Sequence, residues 1–236
     1  MSPPRETDAK APAPAAGTPA PSPAARPLAL DEATAPPVPK PAAQLPPPFP
    51  IPPLFGKYPF EGVVVSDPGL APYLYLHPVY VPHSEGRLSG RPFMKSHMHL
   101  VERLANHLMK GGNFTGKKSK SLRVVREAFA ELAQKTNENP IQLLVRAVEN
   151  AAPREEVTRL QFGGISVPRA VDAAPARRVH VAIRNIAQGA INASHKSTKP
   201  IASCLATEIA AAAKGDLTSF AVGRKEEVER VAQSAR

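Results

Sequence analysis

From Leu100 onward, apolar residues recur at helical spacing. Leu100, Leu104 and Leu108 fall every four positions and end at Gly111-Gly112-Asn113, a glycine stop. Leu122, Val125, Phe129 and Leu132 step by three, four and three, an apolar stripe over Leu122–Leu132. Asn139-Pro140-Ile141-Gln142 predicts the next helix start: Asn caps, Pro suits the first helical position, and Gln142 reaches back as in a capping box. Ile141, Leu144, Val145 and Val148 follow as its buried face. Val179, Ile183, Ile186, Ala187 and Ala190 mark a fourth helix. Ile201, Leu205, Ile209 and Ala212 mark a fifth, opened by Thr198-Lys199-Pro200 and stopped near Gly215. Val228 and Val231 mark a short last one, with Glu226 and Glu227 near its positive end.

The period changes between the third and fourth helices. Val157–Phe162 and Ile165–Val171 are β-rich runs flanking Gly163-Gly164, and a primed two-residue turn needs the positive φ that glycine allows. Pro168 bars one ladder donor, so the pair reads as an isolated ribbon needing support from outside itself. From Leu54 to Gly90 the chain is irregular and punctuated by proline, with Val63–Val65 and Val79–Val81 as short β-like pieces. The prediction is an all-α bundle of about six helices over 97–236 with a protruding two-stranded β-hairpin at about 156–171. An extended N-terminal arm over 54–96 precedes it, as does a tail over 1–53.

Composition separates the tail from the rest. The first 53 residues hold 18 of the 29 prolines, with Ala, Ser and Thr between them, and four basic residues balance four acids. Such a Pro/Ala-rich stretch predicts disorder or polyproline II, and it has no apolar core of a signal peptide. Leu54–Arg236, 183 residues, is long enough to bury a core. No run approaches the roughly 18 apolar residues of a membrane span, so no membrane partner is expected. The single Cys204, within an apolar run, reads as a small buried residue and fits a reducing compartment.

Charge is concentrated in one place. Between Gly86 and Arg126 stand ten Lys/Arg residues and one acid, Glu102, so this segment carries net +9 of the chain's +10. A field of that kind draws polyanions and is the footprint of a nucleic-acid binder. Catalytic alternatives fail on local chemistry. Gly111–Lys118 nearly spells a phosphate loop, but Lys118 replaces the hydroxyl that holds magnesium, and a helical run rather than a strand precedes it. His97 and His99, two apart on a helix, point in different directions and could not share a metal. Glu155-Glu156, beside Arg154 and Arg159, reads as a salt-bridged hairpin base. No catalytic residue, metal or cofactor is expected. A helix-turn-helix reading, with a turn over Lys135–Glu138, would leave Gln142 and Arg146 as the only candidates for base-edge contacts. Charge on the preceding loop and helix suits folded RNA better.

Motifs then narrow the class. Leu54-Phe-Gly-Lys-Tyr-Pro-Phe-Glu-Gly62, Pro82-His83, Val101-Glu-Arg-Leu104, Asn137-Glu-Asn-Pro140, Ala151–Val157, Ala170-Val-Asp172 and Arg224–Arg230 resemble, in order, the family of ribosomal protein seven of the small subunit. The Leu54–Arg91 arm and Pro153–Val157 resemble its archaeal branch. The resemblance implies a cytoplasmic, ribosomal, non-enzymatic protein that binds the 3′ major domain of small-subunit rRNA and nucleates head assembly. It also implies neighbouring head proteins as partners, with the ribbon near exit-site tRNA and the mRNA path. The implied RNA contacts are Arg87, Arg91 and Lys95 in the arm, then Lys110, Asn113, Lys117 and Lys118 in the first inter-helix loop. Arg123 and Arg126 on the next helix, Arg159 and Arg169 on the ribbon, Arg177 and Arg178 at its base, and Arg224 and Lys225 near the last helix complete the set. Some of these arginines are expected to pair with Glu102, Glu155 or Asp172. The tail has no counterpart in the family pattern.

Overall fold

The computed structural model describes residues 52–88, 90–110 and 114–236. Six α-helices and one hairpin make up its regular part: α1 Leu100–Leu108, α2 Lys118–Thr136, α3 Pro140–Ala151, β1 Glu155–Phe162, β2 Ile165–Asp172, α4 Pro175–Ser194, α5 Ile201–Lys214 and α6 Phe220–Ser234. This is the expected helical bundle with a two-stranded hairpin. The expected tail falls, through residue 51, outside the described residues.

Helix α5 is the hub, packed by α2, α3 and α4. Its run of alanines lets neighbours approach closely, while Leu205, Ile209 and Ala212 are fully buried. One close approach needs glycine. A Cβ on Gly189 of α4 would lie 2.8 Å from the Glu208 side chain and 3.0 Å from Cβ of Phe220. Glu208 cannot withdraw, because its Oε1 accepts from the Ser219 hydroxyl at 2.7 Å and the Ala221 N–H at 3.0 Å, tying α5 to the start of α6.

Helix ends follow the expected local chemistry only in part. Asn139 accepts from the Ile141 N–H at 3.0 Å, and Pro140 fills the first helical position, as expected. Gln142 does not complete a capping box. Its amide instead bonds both backbone groups of Val64, accepting from the N–H at 2.8 Å and donating to the C=O at 3.0 Å. The arm supplies two unpaired backbone groups there, which compete successfully for the side chain. Helix α6 also differs from expectation. It begins at Phe220 under a Ser219 cap, so Glu226 and Glu227 lie well past its first turn. Ala221, Val222 and Ala232 are its buried residues, and Val231 is exposed. A stripe made mostly of alanine is a weak hydrophobic signal, so the two valines misplaced the helix.

The arm forms no strand at Val63–Val65 or Val79–Val81; among its described residues the only β-type pairing is the isolated bridge Leu54–Tyr58. It is nevertheless part of the core. Leu54 and Leu70 are fully buried and Leu74 nearly so. Phe55 and Tyr58 stand edge-on to buried Phe129 of α2, with ring centroids at 6.4 and 6.2 Å. Polar side chains of α3 hold its backbone: Glu149 accepts from Ser66 and Asp67 N–H at 2.6 and 3.1 Å, and Asn139 donates to Pro59 C=O at 2.8 Å. Side chains have replaced a neighbouring strand as hydrogen-bonding partner, so proline costs nothing along this path.

The hairpin is antiparallel, with Glu155 opposite Asp172 and Phe162 opposite Ile165. Gly163 and Gly164 take φ of 55° and 86°, the left-handed pair that a primed turn requires. It forms a sheet of its own, yet its base leans on α6, and the Ala170 N–H donates to Ala235 C=O at 3.2 Å. Support therefore comes from the chain's own last helix. Glu155 pairs with Arg236, and Glu156 with Arg177, rather than with Arg154 or Arg159.

Candidate nucleic-acid interface

The basic segment changes character once folded, because its only acid turns inward. Glu102 on α1 is 2% exposed and accepts from the Ser84 N–H and hydroxyl at 2.9 and 2.8 Å. Its third partner is the ammonium of Lys118, the first residue of α2. Burial alone would raise this carboxyl's pKa, but the Lys118 and Ser84 donors outweigh it and hold the group below the usual glutamate range. Lys118 is thus an internal clasp between arm, α1 and α2. The surface of the segment is left with cations.

Six other members of the implied contact set also meet partners within the chain. Arg178 reaches Asp67 on the arm at 3.0 Å, and Arg123 pairs with Glu127 at 2.9 Å one turn along α2. Arg177 pairs with Glu156, Arg224 with Glu227, and Arg87 with Glu85 at 3.8 Å. Lys95 donates to Nδ1 of His180 at 2.8 Å. Among the described residues, Arg91, Lys110, Lys117, Arg126, Arg159, Arg169 and Lys225 have no carboxylate partner, and all but Lys225 are exposed. Asn113 lies outside the described residues.

The ribbon divides its two arginines. Cross-strand partners share a face, so Arg159 lies with Pro168 and Arg169 with Thr158, on opposite sides. Arg169 shares its face with Ile165, Val167 and Val171, all exposed. Near the base, Arg146, Arg154, Arg178 and Lys225 gather around Asp67 and Glu149 in an open cleft of about 720 Å³.

Sequence reasoning missed Arg103. It lies on α1 between His99 and His107, four residues from each, and all three are buried, at 3%, 5% and 5% exposure. A polar stripe at helical spacing inside an apolar helix was the available signal. Burial, aided by the His77 charge, outweighs the opposing pull of the Glu102 carboxylate and leaves His99 with a pKa lowered to about 4. Burial followed by the charges of His180, Lys110, Lys95 and Arg103 takes His107 down to about 3. His180, its ring 4.8 Å from that of His107, is lowered to about 4, first by burial and then by Lys95 and Arg103. All three are neutral near pH 7. Lys120, also outside the implied set, lies 4.7 Å over the Phe114 ring.

The competing readings lose their geometry. The α2–α3 turn is tight, with Asn137 at φ 54°, but Gln142 is committed to Val64 and Arg146 pairs with Glu138 at 3.1 Å. The near-phosphate-loop follows helix α1, and Lys118 is occupied by Glu102. Among the described residues no group of three or more His, Cys, Asp or Glu could hold a metal, and no helix is long and apolar enough to cross a membrane. Cys204 is buried and unpaired.

A helical scaffold with exposed cations on the arm, the α1–α2 region and the ribbon points to the class of polyanion-binding structural proteins. Comparison with known proteins makes the class specific. The family model described as ribosomal protein S7p/S5e matches residues 77–236. The small ribosomal subunit protein uS7 of Archaeoglobus fulgidus is 55% identical over 183 residues, 78% of this chain and 94% of that relative. Proteins of the same name from Thermoplasma volcanium and Methanococcus aeolicus are each 52% identical, over 78% of this chain and 100% and 98% of their own lengths. The chain belongs to the ribosomal protein S7p/S5e family, in its archaeal type. That family comprises non-enzymatic structural constituents of the small ribosomal subunit, so ribosomal RNA is the partner class and the cytoplasmic ribosome the location.

Proposed function

We propose that the chain binds the 3′ major domain of small-subunit rRNA, nucleates assembly of the head, and lies against neighbouring head proteins there. The ribbon reaches towards exit-site tRNA and the mRNA path. The observation that carries this reading is the inward turn of Glu102, which leaves the surface around α1 and the start of α2 positively charged. Of the contact set, the exposed cations with neither a carboxylate nor a histidine partner act first: Arg91, Lys110, Lys117 and Arg126 on the main surface, and Arg159 and Arg169 on the ribbon. Arg87, Lys95, Arg123, Arg177, Arg224 and Lys225 extend it, while Lys118 and Arg178 chiefly hold the arm in place.

Neutralising phosphates releases counterions, so about six to ten contacts should lower affinity roughly 10³–10⁵-fold between 50 and 200 mM salt. The test is a salt titration of the full chain on a 3′-domain RNA fragment, with duplex DNA as competitor. A steep dependence with RNA preferred is expected; a nearly flat one, or equal binding of the duplex, refutes the proposal.

A further inference from the structure

A cavity of about 290 Å³ opens between α1 and the 3₁₀ turn Met94–His97 that precedes it. Arg91, Lys95, Arg103, Asn106, His107 and Lys110 are the lining residues that matter. Four of them are cations, none is an acid, and Glu102 is already taken by Lys118 and Ser84. The neighbouring charges that act on Lys95 are those of Arg103 and Lys110, both positive.

Arg103 is the unusual member. It is 3% exposed, and among the described residues its one side-chain hydrogen bond runs from Nη1 to the C=O of Tyr73 at 3.1 Å. Its Nε has no hydrogen-bond partner, and neither has Nδ1 of neighbouring His107. A buried guanidinium normally meets a carboxylate, because an unpaired buried charge is strongly unfavourable. Here the fold supplies more cations instead, and keeps His107 and His180 neutral beside them. A guanidinium fork presents donors matched to a tetrahedral oxyanion, and three further cations around it suit the two non-bridging oxygens that share a phosphodiester's negative charge.

We infer that this cavity is a built seat for one phosphate group, filled in the assembled particle by a backbone phosphodiester of folded RNA. Arg103 anchors the group from below, Lys110 and Arg91 close over it from the rim, and Asn106 offers a neutral donor. This rests on the RNA-binding reading and assigns it one specific, buried contact among many superficial ones. The free protein should show the same chemistry with inorganic phosphate.

The experiment has two arms on the full-length chain, with Arg103→Met and Lys110→Gln as variants. In the first, calorimetry and ³¹P NMR follow inorganic phosphate at constant ionic strength. One saturable site is expected, phosphate should raise the melting temperature, and each variant should weaken binding roughly ten- to a hundredfold. Without phosphate, Arg103→Met should melt no lower than the parent, since it removes an uncompensated buried charge. In the second arm, each variant should reduce the salt slope on the RNA fragment by about one.

Absence of a saturable phosphate site overturns the inference. So does an Arg103→Met chain that melts lower without phosphate while binding RNA normally, which would make Arg103 structural. Phosphate binding with unchanged RNA affinity in both variants would assign the cavity to a free anion and equally overturn it. A parent chain with a flat salt dependence on RNA would instead refute the RNA reading, leaving the phosphate titration to judge the cavity alone. Lys110 is exposed, so its variant keeps the test decisive if Arg103→Met fails to fold.

Discussion

The arm and the ribbon invert the usual relation between regularity and burial. The arm has almost no regular secondary structure, yet Leu54 and Leu70 are fully buried and three side chains of α3 hold its backbone. The ribbon has a full antiparallel ladder, yet Ile165, Val167 and Val171 face solvent, and only its base touches α6. Hydrogen bonds hold the backbone in both, through side chains in the arm and through the ladder in the ribbon. Burial of apolar side chains decides which one belongs to the stable body.

Substitutions should separate the two regions sharply. Leu70→Ala leaves a cavity in the core and should lower stability by about 2–5 kcal/mol, read by denaturant unfolding; a small loss would mean the arm only rests on the bundle. Acidification should come next. His99, His107 and His180 have folded pKa values near 4, 3 and 4, below the ordinary 6.5. Their unfolded forms therefore take up protons first, and stability should fall as pH drops from about 6.5 towards about 4. The ribbon contains no histidine, so amide exchange should accelerate first in α1 and the arm. Gln142→Ala should cost about 1 kcal/mol by freeing both Val64 groups, seen as faster exchange at the Val64 amide. Val167→Ala should change stability by less than about 0.5 kcal/mol. A larger cost would show that the ribbon face is covered in the free protein.

Much of this organisation was legible because it is local. Helix α5 announces itself by Ile201, Leu205 and Ile209, and the hairpin by two glycines between β-rich runs. Those signals need only neighbouring residues. The roles of Gln142 and Glu102 were illegible for the opposite reason: their partners lie 78 and 18 residues away. In α6 small buried alanines gave too faint a stripe against exposed Val231. The interface was legible as charge, but not in its details. Composition could count ten cations in one segment, whereas only the fold shows that Lys118 faces inward and that Arg103 has no acid beside it.

The Gln142–Val64 bond has a consequence for synthesis. The chain emerges N-terminus first, so the arm leaves the translating machinery well before the helix that holds it. With 78 residues between the two and elongation at about 5–20 residues per second, Val64 waits roughly 4–16 s for its partner. For most of that interval Leu54, Leu70 and Phe55 lack their core, since α2, which carries Phe129 against Phe55, is complete only a few residues before α3 begins. Apolar burial of the arm thus waits on α2, and fixing of its backbone at Val64 waits on α3.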